Sequence, residues 1–206
     1  MSQPHEQSRS RGPRQAHRLG PQRNPDIDTA VLSAARALIA ERGYYGASVD
    51  AIARRADVGR PTVYRRWPSK AHIVHDAVYP SVEPAPFGTT DAAQKVAALV
   101  SGAYALFGTP AARAGVPGLM SDTRSDPQLH DRLVTEQIDP VRDVVRRLVA
   151  DGVADGTLRS GVDVDTIVDV LAGAAIFAMS VRNSYEDEAL ASRLTDLLLY
   201  GLVSRD

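Results

Sequence analysis

The chain contains no cysteine. That excludes a disulfide framework, Cys-ligated zinc, iron–sulfur clusters, a thiol nucleophile and thiol redox sensing. The phosphate-cradling, dinucleotide-binding and nucleophile-elbow patterns (G-x-x-x-x-G-K-[ST], G-x-G-x-x-G and G-x-S-x-G) are missing, which leaves an enzymatic reading without support. No stretch shows the apolar–polar alternation of a half-buried strand, and no internal repeat occurs. No apolar run approaches the roughly 18 residues that cross a bilayer. Residues 1–25 carry no apolar core of a secretory signal. The expectation is a cytoplasmic, membrane-free, all-α protein with neither cofactor nor resident metal.

What is present is an ordinary globular balance over 206 residues, 44% apolar and 24% charged. Such a length gives one large domain or two small ones. The net charge of −1 argues against a polyanion partner only until it is divided. Residues 1–75 hold 13 Lys+Arg and 6 Asp+Glu, a net of +7; residues 76–206 hold 11 and 19, a net of −8. A basic first part on an acidic remainder points to a nucleic-acid surface in the first part.

Three segments follow from composition. Residues 1–24 are rich in Gln, Arg, Ser, Pro and Gly and read as a disordered tail. Arg9, Arg11, Arg14, Arg18 and Arg23 make it either a solvated tail or a basic arm along a DNA backbone. Residues 25–82 form a compact helical head, and 83–206 a larger helical body. The two are joined near a Pro-rich stretch at 80–90.

In the head, Ile27, Val31, Ala34, Ala35 and Leu38 recur at helical spacing, with Gly43 placed as a C-terminal glycine. Ser48 is a good N-cap for a second helix, whose inward residues are Val49, Ile52, Ala53 and Ala56. Asp57-Val58-Gly59 makes a three-residue break. Arg60-Pro61-Thr62 opens a third helix, stopped soon after Trp67 by Pro68. Ser69 starts a fourth, through Ile73, Ala77 and Val78. Helices two and three have helix-turn-helix length. Val63 and Trp67 point inward. Arg60, Thr62, Tyr64, Arg65 and Arg66 remain as outward donors, and Arg54, Arg55 and Lys70 add charge. A groove-reading helix wants this mixture: Arg for guanine edges, Thr for a base edge or methyl, Tyr for a phosphate. Lys70 opens a helix, where a cation is disfavoured, so a phosphate beside it would explain it.

The run from Ser48 to Ala71, SVDAIARRADVGRPTVYRRWPSKA, resembles the DNA-binding signature of the TetR (tetracycline repressor) family. The preceding stretch from Ala34 to Tyr44 resembles it too. The resemblance implies a homodimeric, all-helical regulator, most often a repressor, that reads a palindromic operator in double-stranded DNA. It implies DNA contacts from Ser48, Val49, Asp50, Arg60, Pro61, Thr62, Tyr64 and Arg66, with Lys70 on a phosphate. Asp57 stands where the family usually has a turn glycine, and Trp67 where Phe is common.

Beyond the head, helices are expected over about 91–108, 110–121, 125–151 with a break or bend near Pro140, 163–183 and 187–204. The last two are apolar over wide faces: Val164, Ile167, Val168, Leu171, Ala174, Ala175, Ala178 and Val181 on one, Leu190, Leu194, Leu197, Leu198, Leu202 and Val203 on the other. They suggest a four-helix interface between two copies. The family's ligand pocket lies among the middle helices of the body. Tyr104, Phe107, Met120, Phe177, Met179 and Arg182 are candidates here for a small hydrophobic or aromatic effector. His72, His75 and Asp76, and Asp126, His130 and Asp131, are spaced so that either trio could hold a metal. A metal-responsive regulator, or an activator of the same fold, is therefore the alternative.

Overall fold

The structure is a computed structural model and describes residues 25–79, 91–184 and 189–201. The basic tail, the Pro-rich joint at 80–90 and positions Leu202 and Val203 lie outside the described residues. All regular elements among the described residues are helical.

The head has four helices: α1 (Pro25–Gly46), α2 (Val49–Arg55), α3 (Arg60–Tyr64) and α4 (Lys70–Val78). The first is longer than its apolar spacing suggests. Gly43 breaks it at φ 72°, and the chain then winds one more turn carrying Tyr44 and Tyr45. Ser48 caps α2 by accepting the Ala51 N–H at 3.2 Å. Asp57 takes φ 54° in the turn to α3. Aspartate enters this left-handed region more readily than most residues, so the turn forms without a glycine there. Val63 and Trp67 are buried beneath α3, as their inward spacing requires.

The body comprises α5 (Ala92–Gly108), α6 (Pro110–Thr123), α7 (Pro127–Leu133), α8 (Asp139–Ala154), α9 (Val164–Ile176) and α10 (Leu190–Tyr200). A π turn over Val134–Ile138 joins α7 to α8. Pro140 just beyond it has no N–H to donate, so the regular ladder cannot continue through this point. A second π turn, Phe177–Val181, ends α9.

One apolar core runs through head and body. Val31, Leu38, Ile39, Ile73 and Val74 of the head share it with Phe107, Val116, Leu119, Leu129, Ala175 and Met179. Helix α6 approaches α1 and α4 closely because Gly115 and Gly118 face them: a Cβ at Gly115 would stand 3.1 Å from Ile39. A smaller cluster centred on Val100, Leu171 and Leu194 ties α5, α9 and α10 together.

One expectation needs correction. The helical stretch Val164–Val181 is long and apolar enough, by length and composition, to cross a membrane, with a mean hydropathy of 1.8. The sequence reading missed it because Asp165 and Asp169 interrupt the apolar run. In the fold it packs on α5 and α8 with Val168, Leu171, Ala175 and Ala178 buried. The described parts of the two wide apolar faces are divided: Val168, Leu171, Ala175, Ala178, Leu190 and Leu194 are buried within the chain, while Val181 and Leu197 stay exposed. The apolar surface left over is narrower: Val170, Phe177 and Val181 at helical spacing, beside Leu197 and Tyr200 of α10.

Candidate nucleic-acid interface

Helix α3 is held from below and loaded from above. Val63 and Trp67 anchor it in the core, while Arg60, Pro61, Tyr64 and Arg65 are exposed. Thr62 is half-buried. Arg60 reaches across to α2 and pairs with Asp50 at 2.7 Å. Its guanidinium also lies 5.9 Å from the centre of the Tyr64 ring. Both members of that pair are well exposed, and surface pairs of this kind are weak, so a phosphate or a guanine edge can displace Asp50. Ser48, at the start of α2, is exposed with its oxygen engaged in the cap. Arg65 points outward with no ion pair or side-chain hydrogen bond among the described residues.

Three residues of the expected contact set sit differently. Val49 is 9% exposed and belongs to the core. Arg66 turns back beneath α3: its Nε donates to Asp28 Oδ1 of α1 at 2.5 Å, and its side chain is 7% exposed. This pair braces the recognition helix against α1. Lys70 donates from Nζ to the Tyr44 carbonyl at 3.0 Å and lies 3.9 Å from the Tyr44 ring centre. Burial lowers its pKa below the usual lysine range, against the opposing charge of Asp122. The last turn of α1 thus gives this lysine a structural partner, which the sequence alone did not offer.

Tyr45, which was not among the expected contacts, stands beside them. It is 80% exposed, 5.4 Å from Lys70 Nζ and edge-on to Tyr44. Its place at the end of the helix just before the helix-turn-helix pair was the available signal.

Behind the interface, Trp67 Nε1 donates to Asp76 Oδ2 at 2.8 Å. Asp76 also takes His75 Nδ1 at 3.0 Å and Arg132 of α7 at 2.8 Å. Burial would raise this carboxyl, but the hydrogen bonds of His75 and Trp67 and the charges of Arg132 and His75 outweigh it and hold the pKa below the ordinary aspartate value. Asp76 is the point where recognition helix, α4 and body meet.

Residues 31–77 match the bacterial regulatory proteins of the tetR family, and residues 88–198 match the tetracyclin repressor-like C-terminal domain. The chain belongs to the TetR family. It is a helix-turn-helix, DNA-binding transcriptional regulator. The helix-turn-helix regulator YdeS of Bacillus subtilis, itself uncharacterised, is 28% identical over 87% of this chain and 90% of its own length. Two solved structures share the fold. The fatty acid degradation regulator FadR of Bacillus halodurans has a TM-score of 0.63 at 20% identity, over 90% of this chain and all of its own. FadR of Bacillus subtilis in complex with stearoyl-CoA has a TM-score of 0.59 at 18% identity, over 85% and 99%.

In this TetR-family body the six effector candidates divide between core and surface, with the Arg182 charge close enough to act on Tyr104. Phe107 and Met179 are core residues, and Tyr104 is half-buried beside them. Phe107 meets Tyr79 edge-on at 6.3 Å. Met120, Phe177 and Arg182 are exposed. None of the six lines the cavity of about 530 Å³ enclosed by α5, α8, α9 and α10.

The metal trios also separate. His72 Nδ1 lies 2.9 Å from Ser69 Oγ and 4.0 Å from Asp126, while His130 and Asp131 are exposed. His75, Asp76 and Glu136 do come close enough to share a cation. Arg132, however, sits 2.8 Å from both carboxylates. Its guanidinium takes the place a cation would need.

Proposed function

We propose that this regulator is a repressor that binds a palindromic operator as a homodimer, and that a small hydrophobic effector taken up by the body releases it. One observation carries the reading: a short, core-anchored α3 presents Arg60, Tyr64 and Arg65 on one exposed surface. Thr62 stands beside them. Side chains of this kind on a helix-turn-helix reach base edges and phosphates together.

The proposed contact set is Ser48, Asp50, Arg60, Pro61, Thr62, Tyr64 and Arg65, with Tyr45 added. Lys70 contacts a phosphate while keeping its hold on Tyr44; a lysine has three donors and spends one there. Arg66 serves by fixing the tilt of α3. The exposed Val170, Phe177, Val181, Leu197 and Tyr200 support pairing of two copies through α9 and α10. The stearoyl-CoA complex of a fold relative supports a hydrophobic effector. Release works by population shift, the effector favouring a body arrangement in which the heads no longer fit successive grooves.

The test is a gel shift of the full chain on fragments of its own promoter region, run across a salt series. Binding must weaken steeply with salt, and Arg65→Ala must weaken it about tenfold. Salt-independent binding, or an Arg65→Ala protein of unchanged affinity, contradicts the reading.

A further inference from the structure

The cavity between α5, α8, α9 and α10 is walled by Val96, Leu99, Leu148, Ile167, Leu171 and Leu198, among other aliphatic residues. Its volume of about 530 Å³ falls within the usual range for small-molecule sites. Among the described residues no aromatic ring lines it. It begins one end of α5 away from Phe107, about 12 Å along that helix from Leu99.

One wall is the loop between α8 and α9, and this loop is built rigidly. Leu158 packs onto Gly152 so closely that a Cβ there would stand 2.6 Å from it. The Leu158 N–H donates to the Gly152 carbonyl at 2.8 Å. Thr157 donates from its N–H and its hydroxyl to Asp155 and closes the turn. Gly156 and Gly161 take φ 78° and 73°, conformations that favour glycine.

The two charged residues of the lining differ. Asp163 is satisfied: it accepts the N–H and hydroxyl of Thr166 at 2.7 Å each, as the cap of α9. Arg159 is exposed at the mouth and makes no ion pair or hydrogen bond among the described residues. Among the described residues the site therefore offers an aliphatic interior, with no ring to stack on, and one guanidinium without a partner at its entrance.

We infer that this cavity binds an aliphatic chain ending in an anionic group, the chain lying among the leucines and valines and the anion on Arg159. Arginine is the side chain best shaped to hold a carboxylate or phosphate in two hydrogen bonds. Branched aliphatic walls reward each buried methylene and give nothing specific to an aromatic plane. As the effector site, this deepens the ligand part of the proposed function and rests on it; as a binding site it stands alone.

The experiment is calorimetric titration of the full chain with octanoic, decanoic and dodecanoic acids, each below its micelle concentration. A naphthalene carboxylic acid, dodecanol and dodecanoyl-coenzyme A serve as comparison ligands. Affinity should rise roughly tenfold for each pair of added methylenes, and the aromatic acid should bind more weakly than decanoic acid. Arg159→Gln should weaken dodecanoic acid about three- to fivefold and leave dodecanol unchanged. Arg147→Gln, an exposed arginine of α8 outside the cavity, should change neither. Ile167→Phe fills the interior and should abolish binding; if its melting curve shows that it does not fold, Val162→Met replaces it. Tighter binding of the coenzyme A ester than of the free acid assigns the anion to a phosphorylated carrier, and the reverse to a free carboxylate. Absence of chain-length dependence, tighter binding of the aromatic acid, or equal losses from Arg147→Gln and Arg159→Gln overturns the inference. Operator affinity is read in parallel. Binding by these rules without operator release keeps the site and ends its effector role; release by another molecule with no alkanoic acid bound ends the site and keeps the repressor reading.

Discussion

The Tyr44 side chain packs against α6 at Gly118, where a Cβ would overlap its Cβ, Cγ and Cδ1. The phenol then donates to Asp122 one turn further on. Burial and the Asp122 hydrogen bond and charge raise the Tyr44 pKa far above its ordinary value, so the donor is permanent in water. On its other side Tyr44 gives its carbonyl and ring face to Lys70. Head and body are thus docked through one side chain that fits only because position 118 has none. Gly118→Ala should destabilise the chain by about 1–3 kcal/mol. Urea unfolding checks this, and operator affinity should fall with it.

Trp67 is more than a large filler for α3. Its indole N–H is committed to Asp76, a bond that phenylalanine cannot make. Trp67→Phe should cost about 1–3 kcal/mol, since a partly buried carboxylate loses a donor. Differential scanning calorimetry gives the number.

Neighbouring arginines of the recognition helix should behave oppositely. Arg66→Ala removes the ion pair that ties α3 to Asp28 of α1 and should cost about 1–2 kcal/mol of stability, visible as a lower urea midpoint. Arg65→Ala should leave the midpoint unchanged and lower operator affinity. One variant reports on the brace and the other on the reading face.

Acid should loosen the junction of α3, α4 and α7. The Asp76 pKa is depressed in the folded chain and returns to the ordinary aspartate value, about 3.9, on unfolding. Its contribution is present above that value and is lost as pH falls through the lower folded value. Stability measured by urea from neutral pH downward should drop below about pH 4, and Asp76→Asn should flatten that drop while lowering the plateau.

Pairing of two copies should depend on Phe177, which is 55% exposed between Val170 and Val181. Phe177→Asp places a charge in an apolar contact and should give a monomer by sedimentation velocity where the parent chain is a dimer. The folded monomer should keep its helical circular dichroism.

The head was legible because its information is local. Ser48, Gly43, Pro61 and Pro68 punctuate the helices within a few residues of where they act, and Val63 and Trp67 declare their inward face by spacing alone. The partners of Arg66 and Lys70 were not legible, because Asp28 and Tyr44 lie 38 and 26 residues away. A solvated arginine and a braced one look alike in a motif. The body was harder still. Phe177 and Met120 suggested a pocket by residue type, and both stand exposed, on the second π turn and on α6. The cavity between α5, α8, α9 and α10 is walled mainly by leucines and valines whose convergence only packing decides. The π turn before Pro140 was foreshadowed as a break; the one at Phe177 had no proline to announce it.

The central claim is that α3 reads a palindromic sequence for a pair of heads. Selection of bound duplexes from a random pool by the full chain tests it most directly, repeated with Arg60→Ala. The account predicts enrichment of one inverted repeat with half-sites about one helical turn apart or a small multiple of it, and an altered base preference at matching positions of both halves for the variant. A pool that yields no enriched sequence, or an asymmetric one that Arg60→Ala leaves untouched, would contradict it.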